Sequence, residues 1–126
     1  MTSEMKLIDR VVVGKPVKIG TSLKHYEGFL INEEKVFLEY KGIRDAALFT
    51  DKRLIIIDPQ GLLGKKVQIA TIPWKSVSAF SVDSGTFDLD AEVKISGSGF
   101  GICELQFNKG VDVKLINDFI TKKLLS

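Results

Sequence analysis

Hydrophobic and polar positions change their period three times along this chain. Between residues 21 and 30, Leu23, Tyr26 and Leu30 fall at helical spacing, and Thr21 or Ser22 is placed to cap the start. This predicts a short helix packing one side on a sheet. From Val36 the period drops to two: Val36, Leu38 and Tyr40 alternate with Phe37 and Glu39, which reads as a strand. Further strands follow over residues 46–49, 54–57, 67–72, 77–83, 87–95 and 102–107. The alternation is cleanest over 87–95, where Phe87, Leu89, Ala91, Val93 and Ile95 oppose Asp88, Asp90, Glu92 and Lys94, the pattern of a sheet with one wet face. Turn residues separate these runs, notably residues 58–61 (Asp-Pro-Gln-Gly), Ser84-Gly85 and residues 96–99 (Ser-Gly-Ser-Gly). From Val111 the helical period returns. Leu115, Ile116, Phe119, Ile120 and Leu124 form an apolar stripe, Asp112 is placed as N-cap, and Lys122 and Lys123 sit where the helix dipole favours positive charge.

One hairpin departs from the half-wet pattern. Ala46-Ala47-Leu48-Phe49 and Leu54-Ile55-Ile56-Ile57 are continuously apolar, so both faces need cover. Placing Ala47, Phe49, Ile55 and Ile57 on one face gives a patch of the kind that forms an oligomer interface. The Leu23 helix is the other candidate cover, and the sequence leaves both open. Residues 1–20 have no clean period and are punctuated by Gly14, Pro16 and Gly20. They read as a short helix or coil leading into a single domain over 21–126.

Composition narrows the function classes. With 126 residues, 44% hydrophobic and 27% charged, the chain suits one globular domain that needs no disulfide staples. The single cysteine, Cys103, cannot form an internal disulfide. The first twenty residues hold no apolar run longer than three valines, and no stretch approaches a membrane span. The expectation is a cytoplasmic protein. Net charge is +2 with both signs scattered, and the pI is near 8.6, so no nucleic-acid partner is expected.

About seven antiparallel strands followed by one amphipathic helix is the element order of pleckstrin-homology (PH) domains. The local sequence strengthens the likeness: residues 43–45 (Ile-Arg-Asp), 49–54 (Phe-Thr-Asp-Lys-Arg-Leu), 61–66 (Gly-Leu-Leu-Gly-Lys-Lys), 72–77 (Ile-Pro-Trp-Lys-Ser-Val) and 85–92 (Gly-Thr-Phe-Asp-Leu-Asp-Ala-Glu) closely resemble the bacterial PH-like family of unknown function. The resemblance runs from about Gly20 onward. Leu63 stands where that family usually has threonine, and Trp74 where it usually has tyrosine. The resemblance implies a mainly β (α+β by content) barrel of two near-orthogonal antiparallel sheets, capped by the C-terminal helix and preceded by a short N-terminal helix. It also implies no established activity and, since some members form rings, a self-assembling domain.

Candidate chemistry is sparse. His25 is the only histidine, and a triad or metal site around it would have to draw on carboxylates or Cys103. It reads as a polar residue of the short helix, and Cys103 as a buried structural thiol. Asp88, Asp90 and Glu92 are spaced almost 7 Å apart along a strand, too far to share one cation unaided, and read as a solvated face. Residues 61–66 lack the full glycine spacing and the Ser or Thr of a phosphate loop. Arg44, Lys52, Arg53, Lys65 and Lys66 are the basic residues near strand ends that would contact an anion or lipid headgroup. The basic-x-Arg pair of lipid-binding PH hairpins is missing after Lys41. No catalytic residue, metal or cofactor is expected. The preferred expectation is a non-catalytic binding and assembly module whose partner is itself, in a homo-oligomer such as a ring, with an unidentified protein as a further partner. The alternative is an anionic-ligand or membrane-surface module that uses the basic residues.

Overall fold

The computed structural model describes residues 10–60, 66–84 and 90–126. Its first element, β1 (Arg10–Pro16), lies in the segment expected to be helix or coil. Val11 and Val13 are buried while Val12 is half exposed, so the three valines do alternate. Gly14, at a φ of 65°, marks a shift in register beyond Val12. A Cβ at Gly14 would lie 2.6 Å from the Lys41 carbonyl oxygen, and one at Gly42 would strike the Val12 carbonyl. Gly14 and Gly42 therefore let two backbones cross closely.

At that crossing β1 changes partner. Arg10 to Gly14 run parallel to β8 (Gly101–Phe107), and Lys15 and Pro16 run antiparallel to β2 (Val36–Lys41). The remaining strands are β3 (Ala46–Thr50), β4 (Arg53–Gln60), β5 (Lys66–Pro73), β6 (Ala79–Asp83) and β7 (Ala91–Gly97). All eight form one sheet in the order β5-β4-β3-β2-β1-β8-β7-β6. The expectation of two sheets and about seven strands gives way to this continuous sheet because β1 bridges its halves. Parallel pairing with a strand some ninety residues away leaves no local signature in sequence.

The turn expected at Asp58-Pro59-Gln60 is strand. Asp58, Pro59 and Gln60 pair with Gln68, Val67 and Lys66. Pro59 lies beyond the last β3 pairing, Ala46 with Ile57, and its carbonyl accepts from Arg44 Nη2 on the β3 side. Its missing N–H therefore costs no ladder bond.

The two-faced hairpin is covered within the chain. Phe49 pairs with Leu54, Leu48 with Ile55, Ala47 with Ile56 and Ala46 with Ile57. Cross-strand partners share a face, so even-numbered residues of one strand sit with odd-numbered residues of the other. The grouping of Ala47 and Phe49 with Ile55 and Ile57 is thus incorrect. Ala47, Phe49, Leu54 and Ile56 enter the main core with Tyr40, Trp74, Phe107, Ile116 and Ile120. Ala46, Leu48, Ile55 and Ile57 form a second core with Tyr26 and Val36, joined by Leu30, Val67 and Ile69. Each of the four residues expected at an oligomer interface is at most 1% exposed in a single chain. None is available to a neighbour.

The cover is the segment between β1 and β2, with α1 (Leu23–Tyr26) at its centre, shorter than the helix expected over 21–30. Neither Thr21 nor Ser22 caps α1 through its side chain. Buried Glu39 on β2 holds the segment instead, accepting from the backbone N–H of Gly20 at 2.8 Å and of Ser22 at 2.7 Å. At the other end of the chain, α2 (Val113–Leu125) begins as expected, with the Asp112 side chain accepting from the Leu115 N–H. Its residues Val113, Ile116 and Ile120 are buried. Phe119 meets Phe49 and Trp74 edge-on, both at 5.9 Å between ring centres.

Candidate functional site

The basic residues nominated by sequence do not form one cluster. Arg44 follows β2 and reaches the Pro59 end of β4, and Lys66, paired with Gln60, opens β5 at that same end. Lys52, in the β3–β4 turn, and Arg53, the first residue of β4, lie at the opposite end. Lys65, with the rest of 61–65, lies outside the described residues, as do Asp88 and the start of the strand expected over 87–95.

Arg53 is engaged in structure. Its guanidinium grips Glu34 with two prongs, Nε to Oε2 at 2.8 Å and Nη2 to Oε1 at 2.9 Å, and also donates to the Phe29 carbonyl and Thr71 Oγ1. Thr50 Oγ1 donates to Glu34 Oε2 at 2.7 Å, and the Ile31 N–H donates to Oε1. Burial pushes the Glu34 carboxyl up, but these hydrogen bonds and the Arg53 charge outweigh it and hold the group at about 2. Arg53 therefore pins the covering segment to the hairpin, and is already spent as an anion contact.

Beside it, Ile31, Asp51, Lys52, Arg53, Pro73, Trp74, Lys75 and Lys123 line an open cavity of about 520 Å³. Trp74 forms its buried side, with Nε1 donating to the Thr50 carbonyl at 2.8 Å. The surrounding surface carries half-exposed Phe29, Ile31 and Phe37, with Lys35 and Lys123 over the Phe37 ring at 5.2 and 5.8 Å.

A second cavity, of about 450 Å³, opens where α1 lies over the ends of β2, β3 and β4. Its lining includes Ser22, Lys24, His25, Lys41 and Arg44, and no carboxylate. Of these only Arg44 was singled out by sequence for binding. Lys24 and His25 occupy the polar positions between Leu23 and Tyr26, so their exposure was legible, but their convergence with Lys41 and Arg44 depends on how the segment folds back. Next to this cavity Asp45 faces Asp58. Burial, a hydrogen bond with Asp58 and the Asp58 charge raise the Asp45 carboxyl to about 6, against smaller opposing pulls from Arg44 and the Val12 backbone.

Two edges of the sheet are unpaired by strands: among the described residues β5 pairs only with β4, and β6 only with β7. The Trp74 N–H bonds to the Lys52 carbonyl, which sets the alternation along β5. The backbone groups of Val67, Ile69 and Thr71 point away from β4, and Pro73, without a donor, takes the next outward place. Cys103 is buried on β8, as expected. Asp90 is exposed, and among the described residues no three His, Cys, Asp or Glu side chains converge as a metal site requires. No helix of the described residues is long and apolar enough to cross a membrane.

Comparison with known proteins agrees with the architecture. The chain is 49% identical over 83 residues to the uncharacterized protein YjqA of Bacillus subtilis, covering 64% of this chain and just under two-thirds (66%) of YjqA. Two solved structures share the fold: a DUF1696 family protein with a pleckstrin-homology domain from Shewanella loihica (37% identity, TM-score 0.77, covering 88% of this chain and 97% of that one), and a pleckstrin homology domain from Shewanella amazonensis (38%, 0.70, covering 90% and 93%). The family model for the bacterial PH domain matches residues 8–124, from before β1 almost to the end of α2. With its eight-stranded sheet closed by one C-terminal helix, the chain belongs to the bacterial PH domain family.

Proposed function

We propose that this domain is a non-catalytic assembly module whose partner is further copies of itself. The observation that carries the reading is the pair of strand edges, β5 and β6, at opposite ends of one sheet. An unpaired edge is a template for another strand. Because the two edges are different strands, pairing β5 of one copy with β6 of the next is a heterologous contact, which repeats head to tail and closes into a ring when the rotation allows. Thr71 offers a test. It is exposed on β5 with its backbone facing outward, so Thr71→Pro removes a donor from the edge and leaves the β4 ladder in place. Light scattering should show the oligomer of the native chain reduced to smaller species by Thr71→Pro. A native chain that stays monomeric across micromolar concentrations would contradict the reading.

A second reading, contact with an anionic membrane surface, is favoured by the Trp74 cavity. There, half-exposed Phe29, Ile31 and Phe37 sit among Lys35, Lys52, Lys75 and Lys123, the pairing of apolar and basic groups that suits a headgroup layer. Co-sedimentation with anionic vesicles that weakens with salt supports it, and salt-independent or absent binding removes it.

A further inference from the structure

We infer that the Trp74 cavity is a docking site for a short peptide segment of a partner protein, one that carries a bulky apolar side chain between carboxylates. The inference goes beyond assembly through the sheet edges and does not depend on it. It also departs from the membrane reading of the same cavity, since the occupant is a protein chain.

Three observations carry it. The first is apolar surface gathered at one opening. Ile31, Pro73 and Trp74 line the cavity, and Phe29 and Phe37, the two most exposed aromatic residues among those described, stand at its margin. Both are tied to lining residues: the Phe29 carbonyl accepts from Arg53 Nη2, and Lys123 Nζ lies 5.8 Å from the centre of the Phe37 ring. Exposed apolar side chains that cluster at a recess mark an interaction surface. The cavity under α1, by contrast, has no aromatic residue in its lining.

The second is a preformed wall. The Trp74 indole is fixed by its bond to the Thr50 carbonyl and stacks on Phe49 at 5.8 Å between ring centres. Phe119 of α2 meets Trp74 and Phe37, each at 5.9 Å. An entering side chain therefore meets a surface that needs no reordering. A recess of about 520 Å³ with such a wall suits one inserted aromatic or aliphatic anchor. A bilayer would meet the rim at Phe29 and Ile31 and leave the recess behind it unfilled.

The third is charge. Lys52, Lys75 and Lys123 line the cavity, and Lys35 Nζ lies 5.2 Å from the Phe37 ring centre. Against these lysines stands one lining carboxylate, Asp51, which already accepts from the Lys35 N–H at 2.9 Å and lies 3.8 Å from Lys52 Nζ. Carboxylates flanking the apolar anchor would relieve the repulsion among the lysines and steer the peptide to the opening. The recess and its basic rim adjoin, so one segment must present both features.

Selection of phage-displayed random heptapeptides on the full chain tests the proposal, and the single tryptophan, Trp74, reports binding at the cavity itself. The enriched sequences should carry phenylalanine or leucine beside aspartate or glutamate. A tryptophan-free peptide of that set, synthesised with a fluorescent label, should bind with an affinity that falls as salt rises, and unlabelled it should shift the Trp74 emission. Lys75→Glu, at an exposed position, should weaken binding about tenfold and reduce its salt dependence. Ile31→Asp, also exposed, should weaken it about tenfold through the apolar contact. Lys24→Glu, at the far end of the sheet, should leave it unchanged. No enrichment, enrichment without acidic residues, or binding indifferent to both Lys75→Glu and Ile31→Asp overturns the proposal. A Trp74 response to vesicles of phosphatidylcholine and phosphatidylglycerol, with none to the peptides, overturns it in favour of a membrane. Failure here leaves the oligomeric state of the native chain untouched, so this proposal and the assembly reading fall separately.

Discussion

Glu34 and Arg53 meet through two parallel hydrogen bonds, at 2.8 and 2.9 Å, and tie the segment between β1 and β2 to the β3–β4 turn. The Glu34 side chain is fully buried, and that of Arg53 is 18% exposed. Removing one partner strands the other, so Glu34→Gln should lower stability by about 2–4 kcal/mol in urea unfolding.

The same pair sets an acid limit. The carboxyl of Glu34 sits at about 2 in the folded protein against an ordinary value of 4.5. Its contribution to stability is present above about pH 4.5 and is lost as pH falls toward 2. Melting temperature measured between pH 5 and 2 should fall less steeply in Glu34→Gln than in the native chain. An unchanged slope would show that the pair does not govern acid unfolding.

Asp45 works in the opposite sense. Its folded value, raised to about 6, lies above the ordinary 3.8, so the folded state holds the proton more tightly. Stability from this group is full below about pH 4 and is lost as pH rises through 6. Asp45→Asn keeps a neutral side chain opposite Asp58 and should flatten that fall, with the variant melting higher than the native chain at pH 7.

Ile55 tests whether the β3–β4 hairpin is core or interface. It is fully buried in the second core, against Leu48 across the ladder. Ile55→Ala should cost about 2–4 kcal/mol and leave the oligomeric state as it was. A dissociated but equally stable variant would restore the hairpin as an interface.

The crossing of β1 over β2 should tolerate no side chain. Gly14→Ala combines a positive φ with a Cβ 2.6 Å from the Lys41 oxygen, and should cost about 1–3 kcal/mol, read by urea unfolding.

What was legible in sequence depended on whether a signal was local. The Asp112 cap of α2, the alternation of β7 and the continuous runs of β3 and β4 are short-range patterns and stand in the fold, as does the α2 stripe except for Leu115, which is half exposed. Three features were not local. β1 is defined by its partners rather than its residues. The facing of Ile55 and Ile57 hung on the two-residue span between Thr50 and Arg53, because one residue more or less reverses every side chain. The cavity under α1 collects Ser22, Lys24, Lys41 and Arg44 from either side of β2, so no spacing announces it. The basic residues chosen by proximity in sequence, Arg44 and Lys52 among them, lie at opposite ends of β3 because a strand intervenes.

In the proposed assembly, copies of this domain join through the β5 and β6 edges of its single sheet. Native mass spectrometry of the full chain at micromolar concentration tests it most directly. The expected spectrum shows a discrete species at a multiple of the 14.0 kDa chain mass, shifted toward the monomer by Thr71→Pro. A 14.0 kDa monomer alone, or an oligomer that Thr71→Pro leaves intact, would contradict it.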